Sequence, residues 1–156
     1  MVRVLFVCLG NICRSPMAEA IFRQKVAEAG LADKIQIDSA GTGHWHIGKP
    51  PHEGTRGILD ENNIDYSGMK ARQVSKSDFT IFDYVVAMDS DNFRNLESMA
   101  AEAEKEKLVM MLSYHPSTSL KDVPDPYYTG NFVEVFDLLN TASERLLATI
   151  RQEKKL

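Results

Sequence analysis

The sequence has little cysteine: two residues in 156, Cys8 and Cys13. That excludes a disulfide scaffold, and no CxxC pair or Cys/His spacing suited to zinc occurs. The four histidines (His44, His46, His52, His115) are scattered through loop-like sequence. Long hydrophobic runs are missing. The apolar stretch Val4 to Leu9, like every other, is too short to span a bilayer. The N-terminus lacks the charged segment, apolar core and small-residue cleavage site of a secretory signal. Basic excess is missing too. A net charge of −4 argues against a general binder of nucleic acid or anionic membrane. It leaves room for a locally positive site that takes a small anion. These absences point to a reducing cytoplasm, where a free thiol survives.

What is there fits a single soluble domain over residues 1–156, long enough to bury one good core. Val2 to Val7 is rich in β-branched residues and reads as a strand buried on both faces. Ser15-Pro16 then reads as a helix start, with serine as N-cap and proline at the first helical position. Ala18, Ile21, Phe22, Val26 and Ala29 follow at helical spacing, and Gly30 ends the helix. Further strands are expected at Lys34–Gly41, Asp83–Asp89 and Lys107–Leu112. Helices are expected at His52–Asn63 and Asp91–Lys105, with a short one near Ser77–Thr80 and a last one after Gly130. Gly41–Pro51 and His115–Gly130 read as loops. This alternation predicts an α/β fold: a parallel sheet between helices on both faces, joined by right-handed crossovers. Ligands in such folds bind beyond the C-terminal strand ends. Cys8 stands at one of those ends.

The stretch "CLGNICRS", Cys8 to Ser15, lies between the first strand and the first helix. That is the geometry of a phosphate loop. The loop and first-turn amides lack intrahelical partners, and the helix dipole adds positive charge there. Gly10 permits the inward turn of the backbone. Asn11 tolerates a left-handed conformation and can brace the loop through its amide. Arg14 supplies a planar fork for two phosphate oxygens. The lysine of the GxxxxGK[ST] motif is absent, and a cysteine opens the loop instead. Amides, helix N-terminus and arginine together favour its thiolate, which can attack phosphorus in line.

Phosphate-ester hydrolysis also needs an acid for the leaving oxygen and a base for water. "VPDPYYTG", Val123 to Gly130, follows the fourth expected strand and holds Asp125 between two prolines. With these residues in place, the chain resembles the low-molecular-weight protein tyrosine phosphatase family. The likeness also covers "DSAGT", "KARQV" and "FDYVVAMD". It implies a three-layer α/β/α, flavodoxin-like fold with a four-stranded parallel sheet, and no metal or other cofactor. It implies Cys8 as nucleophile through a phosphocysteine, Arg14 as phosphate clamp and Asp125 as acid, then base. Leu9, Gly10, Asn11, Ile12, Cys13 and Ser15 would form the cradle, with Ser15 donating to the thiolate. Asn11 and Ser39 would brace the loop, and Trp45, Tyr127 and Tyr128 would wall the pocket. Expected partners are phosphotyrosine proteins or peptides, with phosphate, vanadate or sulfate at the loop. The chain would be a monomer or self-associate weakly.

Two relatives on this fold offer other chemistry. Arsenate reductases relay a disulfide through additional cysteines, which this chain lacks. Protein-arginine phosphatases place threonine where Ile12 stands. The family's usual histidine before "KARQV" is replaced by Met69, so Asn11 should lean on Ser39 instead. Met69→His should therefore alter the pH–rate profile more than the reaction; a change of several orders of magnitude in kcat would contradict this. Cys13 could form a disulfide with an oxidised Cys8 and guard it against further oxidation.

Overall fold

The computed structural model describes residues Met1 to Leu156. Four strands, β1 (Val2–Cys8), β2 (Ile35–Gly41), β3 (Tyr84–Ala87) and β4 (Leu108–Met110), form one sheet in the order β2-β1-β3-β4. All neighbouring pairs are parallel. β1 is central, and alternation along it divides the core. Val4, Phe6 and Cys8 face the larger core, packed with α1 (Arg14–Glu28) and α6 (Phe132–Lys154). Leu5 and Val7 face a smaller one, with Phe79 of α3 (Asp78–Ile81) and Leu96 of α4 (Ser90–Met99). Burial on both faces explains why β1 is almost continuously apolar. One crossover from β1 leads to β2 on one side, and the next leads to β3 on the other. The switch point thus lies at the C-terminal end of β1, where Cys8 sits.

The layers and strand count match the sequence reading, while several ends differ. α1 begins at Arg14, two residues early. Its cap position is Cys13, which makes no side-chain capping bond. Ser15 lies inside the first turn, because its hydroxyl is engaged by Asn11 and Cys8. Pro16 is harmless there, since first-turn amides have no intrahelical acceptor. α2 (Glu53–Glu61) follows His52, whose ring nitrogen accepts the Gly54 amide.

The helix expected over Asp91–Lys105 breaks in two. Asp89 caps α4, which ends as Ala100 turns extended, and a 3-10 turn over Glu102–Lys107 follows. The Glu104 carboxylate restarts it by accepting the Ala101 amide. β4 is shorter than expected because Met111 and Leu112 bend into a 3-10 turn and bury themselves in the larger core. Within the expected loop, Asp125-Pro126 starts a one-turn helix, α5 (Pro126–Thr129), which Gly130 ends in the left-handed region. The Asp-Pro pair is an N-cap signal, outweighed in the sequence by its likeness to a turn.

Candidate active site

Cys8 closes β1, and the loop over residues 9–13 rises from it to α1. The loop carbonyls are tied down from outside. Thr42 N–H donates to the Cys8 carbonyl, Gly43 N–H to Leu9 and His52 N–H to Ile12, at 2.7–2.9 Å. The N–H groups of Gly10, Asn11, Ile12 and Cys13 make no hydrogen bond within the protein. They join the free amides of the first helical turn as a set of donors suited to an anion.

Asn11 adopts a φ of 57°, and both ends of its side chain hold it there. Nδ2 donates to Ser15 Oγ at 2.8 Å and Ser39 Oγ at 3.0 Å, while Oδ1 accepts the Arg72 amide at 3.0 Å. The expected Ser39 brace is therefore present. Met69, in the place of the histidine, packs against the edge of the larger core. Gly41 of β2 passes so close that a Cβ there would meet the Leu9 carbonyl at 2.7 Å.

Cys8 Sγ stands 3.0 Å from Ser15 Oγ. Arg14 is 3% exposed, which a charge tolerates only when well paired. Nη1 donates to Asp89 Oδ2 at 2.7 Å and to the Val123 carbonyl at 2.9 Å; Nη2 faces Asp125 Oδ2 at 3.5 Å. Burial works against its charge, but Cys8, Asp89 and Asp125 outweigh that and move its pKa up. The guanidinium stays charged throughout the working range. Asp125 points Oδ1 at the Tyr127 amide, 3.1 Å away, and so caps α5.

Asp89 is a residue that the sequence reading missed. The available signal was its place at the end of β3, on the same sheet edge as Cys8. Its other oxygen caps α4 through the Asn92 amide at 2.7 Å, which fixes the carboxylate beneath Arg14. Asp89→Ala should lower kcat/KM about tenfold or more, since a buried guanidinium that loses its partner must move. Steady-state kinetics would test it; an unchanged kcat/KM would count against this role.

Ten expected residues converge on one cavity of about 220 Å³. Cys8, Leu9, Gly10, Ile12, Cys13 and Arg14 form the lower part, with Asp125 at the side and Trp45, Tyr127 and Tyr128 as walls. Asn11, Ser15 and Ser39 do not line it. They stand behind the loop, buried, and support its shape. His46 is a wall residue that sequence reasoning missed; its ring tilts against Tyr127. The Trp45 ring covers Gly43, where a Cβ would overlap it at 1.8 Å. Tyr128 is 79% exposed, so the rim projects into solvent rather than into the core.

Cys13 is the second buried thiol of the loop. Burial, then the neighbouring Cys8 and Asp125, push its thiol up to about 12. It remains protonated at neutral pH. Iodoacetate should thus modify one cysteine in the folded protein and two after denaturation, by mass spectrometry. Rapid double labelling of the native chain would refute this.

A thiol at the base of an anion cradle, facing arginine and a carboxyl, defines the class of cysteine-dependent phosphatases. The family model for low molecular weight phosphotyrosine protein phosphatase matches residues 3–156. The chain belongs to that family. It is 57% identical, over the whole of both chains, to the low molecular weight protein-tyrosine-phosphatase YfkJ of Bacillus subtilis. The crystal structure of YfkJ superposes with a TM-score of 0.96, covering 99% of this chain and 97% of that one. A protein tyrosine phosphatase from Entamoeba histolytica, with Hepes in its active site, is 37% identical with a TM-score of 0.93 over all of both chains. The Drosophila arginine phosphatase is 33% identical, with a TM-score of 0.88 over 95% of this chain and 97% of that one.

Proposed function

We propose that this enzyme hydrolyses phosphotyrosine and other aryl phosphate monoesters in two displacements at Cys8. One observation carries the reading: Cys8, Arg14 and Asp125 face one cavity whose floor is a loop of unpaired amides. In the first step the Cys8 thiolate attacks phosphorus. The S–P bond forms, the P–O bond to the aryl group breaks, and Asp125 gives its proton to the leaving oxygen. The loop amides and Arg14 hold the three remaining oxygens, whose charge they neutralise in the transition state. In the second step Asp125 takes a proton from water as it attacks phosphorus. The S–P bond breaks, and Ser15 Oγ donates to the departing thiolate. The proton from Asp125, lost to the phenol, is thereby recovered from water.

The walls favour an aryl ester. Trp45 and Tyr127 offer flat apolar faces to a phenyl ring, and the rim keeps a shorter phosphoserine side chain from reaching Cys8. Ile12 bears on the arginine-phosphatase alternative. It is buried with Cys13 and Ala71 and offers no hydroxyl to a guanidino group. Phosphotyrosine, phosphoserine and phosphoarginine peptides, compared at equal concentration, test the assignment. Phosphotyrosine should be preferred at least about tenfold; preference for phosphoarginine would overturn it. Turnover of p-nitrophenyl phosphate should be blocked by vanadate.

A reducing compartment suits the free thiol of Cys8, and no helix is long and apolar enough to cross a membrane. The guarding disulfide asks more of Cys13. A thiol held near 12 resolves a Cys8 sulfenic acid slowly until the loop opens. Recovery by dithiothreitol after peroxide should still be poorer in Cys13→Ser than in the parent. Equal recovery would remove the guard role.

A further inference from the structure

Glu19 is a buried carboxyl with no part in the steps above. It lies in α1, 5% exposed, directly behind the phosphate loop. Oε1 accepts the Ser39 hydroxyl at 2.6 Å. Ser39 Oγ accepts from Asn11 Nδ2 at 3.0 Å, and the same amide nitrogen donates to Ser15 Oγ at 2.8 Å. Ser15 Oγ stands 3.0 Å from Cys8 Sγ. Buried hydrogen bonds therefore run without a gap from Glu19 to the sulfur.

The direction of every donor follows from one end. The Arg72 amide donates to Asn11 Oδ1, so the Asn11 side chain cannot be flipped. Both hydrogens on Nδ2 are then committed, one to each serine oxygen. Ser39 must turn its own hydrogen elsewhere, and an ionised carboxylate, an acceptor only, takes it. Ser15 is left with a hydrogen free for Cys8 Sγ; its other acceptor, the Ala40 carbonyl, is 3.5 Å away.

We propose that Glu19 is a positioning residue for the nucleophile: its carboxylate anchors the chain of hydrogen bonds that aims the Ser15 hydroxyl at Cys8. This rests on Cys8 being the nucleophile. The other charges facing Glu19 are few. Arg23, one turn on in α1, pairs with Oε2; Asp38 of β2 and Arg72, ahead of α3, act across the gap. The Arg72 guanidinium is itself shared between Asp38 and Asp78.

Stability does not account for the carboxylate. Burial, offset only in part by Ser39 and Arg23, moves its pKa up. A carboxyl raised in the folded state favours folding when protonated. Its ionised form therefore costs stability at neutral pH, and that cost is relieved as pH falls through the raised value. A neutral amide would cost the fold less.

The test uses Glu19→Gln and Ser39→Ala in the full chain. Three quantities are read: melting temperature, kcat on p-nitrophenyl phosphate, and the ultraviolet absorbance of the Cys8 thiolate as pH is lowered. Glu19→Gln should melt at or above the parent at pH 7, yet lose about fivefold in kcat. Its thiolate signal should vanish roughly half a pH unit higher than in the parent. Simple loss of a neighbouring negative charge would move it the other way. Ser39→Ala keeps the carboxylate but cuts the chain, and should shift the signal in the same direction; it also serves should Glu19→Gln fold poorly. An unmoved thiolate signal in both variants, or a fall in kcat that only tracks a fall in melting temperature, overturns the proposal. Turnover that survives without Cys8 would instead overturn the mechanism on which it rests.

Discussion

Cys8→Ser should abolish turnover, by roughly 10⁴-fold or more, while leaving the phosphate site intact. Serine keeps the size and place of the side chain but replaces a thiolate with an un-ionised hydroxyl. No base stands ready to activate it. Ser15 Oγ, at 3.0 Å, accepts from Asn11 and turns its own hydrogen toward residue 8, and Asp125 is turned toward Arg14 and the Tyr127 amide. The anion cradle does not depend on the sulfur. Its donors are main-chain amides and a guanidinium clamped by Asp89 and the Val123 carbonyl. Phosphate should thus bind Cys8→Ser at least as well as the parent, because a like charge has left the base of the pocket. Calorimetry with inorganic phosphate, alongside p-nitrophenyl phosphate kinetics, would check both halves. A variant that retains activity within tenfold, or loses phosphate binding with its activity, contradicts this assignment.

Asp125→Asn should separate the two chemical steps. Asparagine keeps the cap on α5, since its side-chain oxygen can still accept the Tyr127 amide. It cannot give or take a proton. With phosphotyrosine, a poor leaving group, the first step should slow by about 10²–10³-fold, within the usual span of general acid catalysis. With p-nitrophenyl phosphate the leaving anion needs little help, and the first step should survive largely intact. The second step still lacks its base. Phosphocysteine should then accumulate, seen as a burst of p-nitrophenol equal to the enzyme concentration before a slow steady state. Equal losses on both substrates, with no burst, would place the acid elsewhere.

Local pattern and tertiary packing contributed differently to this site. Strand β1, the loop and α1 are contiguous, so their residues declare the anion cradle through spacing alone: an apolar run, Gly10 and Asn11, then Arg14 at a helix start. Even there the N-cap reading of Ser15 fails. A serine before proline is an ordinary N-cap by local rules; the family resemblance alone pointed its hydroxyl at the thiolate, and Asn11 and Cys8, brought up by the loop, hold it there. Asp89 and Glu19 illustrate the same limit. An aspartate after a strand and a glutamate within a helix are unremarkable locally. Their roles arise from partners 75 and 20 residues away, Arg14 and Ser39. The break of the Asp91–Lys105 segment and the bend at Met111 likewise follow from capping and burial, which periodicity does not register.

By itself the sequence determined the alternation of strands and helices, the anion loop and the candidate nucleophile, because each is encoded in neighbouring residues. The tertiary structure decided how those parts are held for chemistry. It set Asp89 beneath Arg14, brought Asp125 across from Cys8, left Cys13 protonated and tied Glu19 to the sulfur through three side chains. The physical reason is that charge, hydrogen-bond direction and burial belong to pairs of groups. In this fold those pairs meet only once the sheet is assembled.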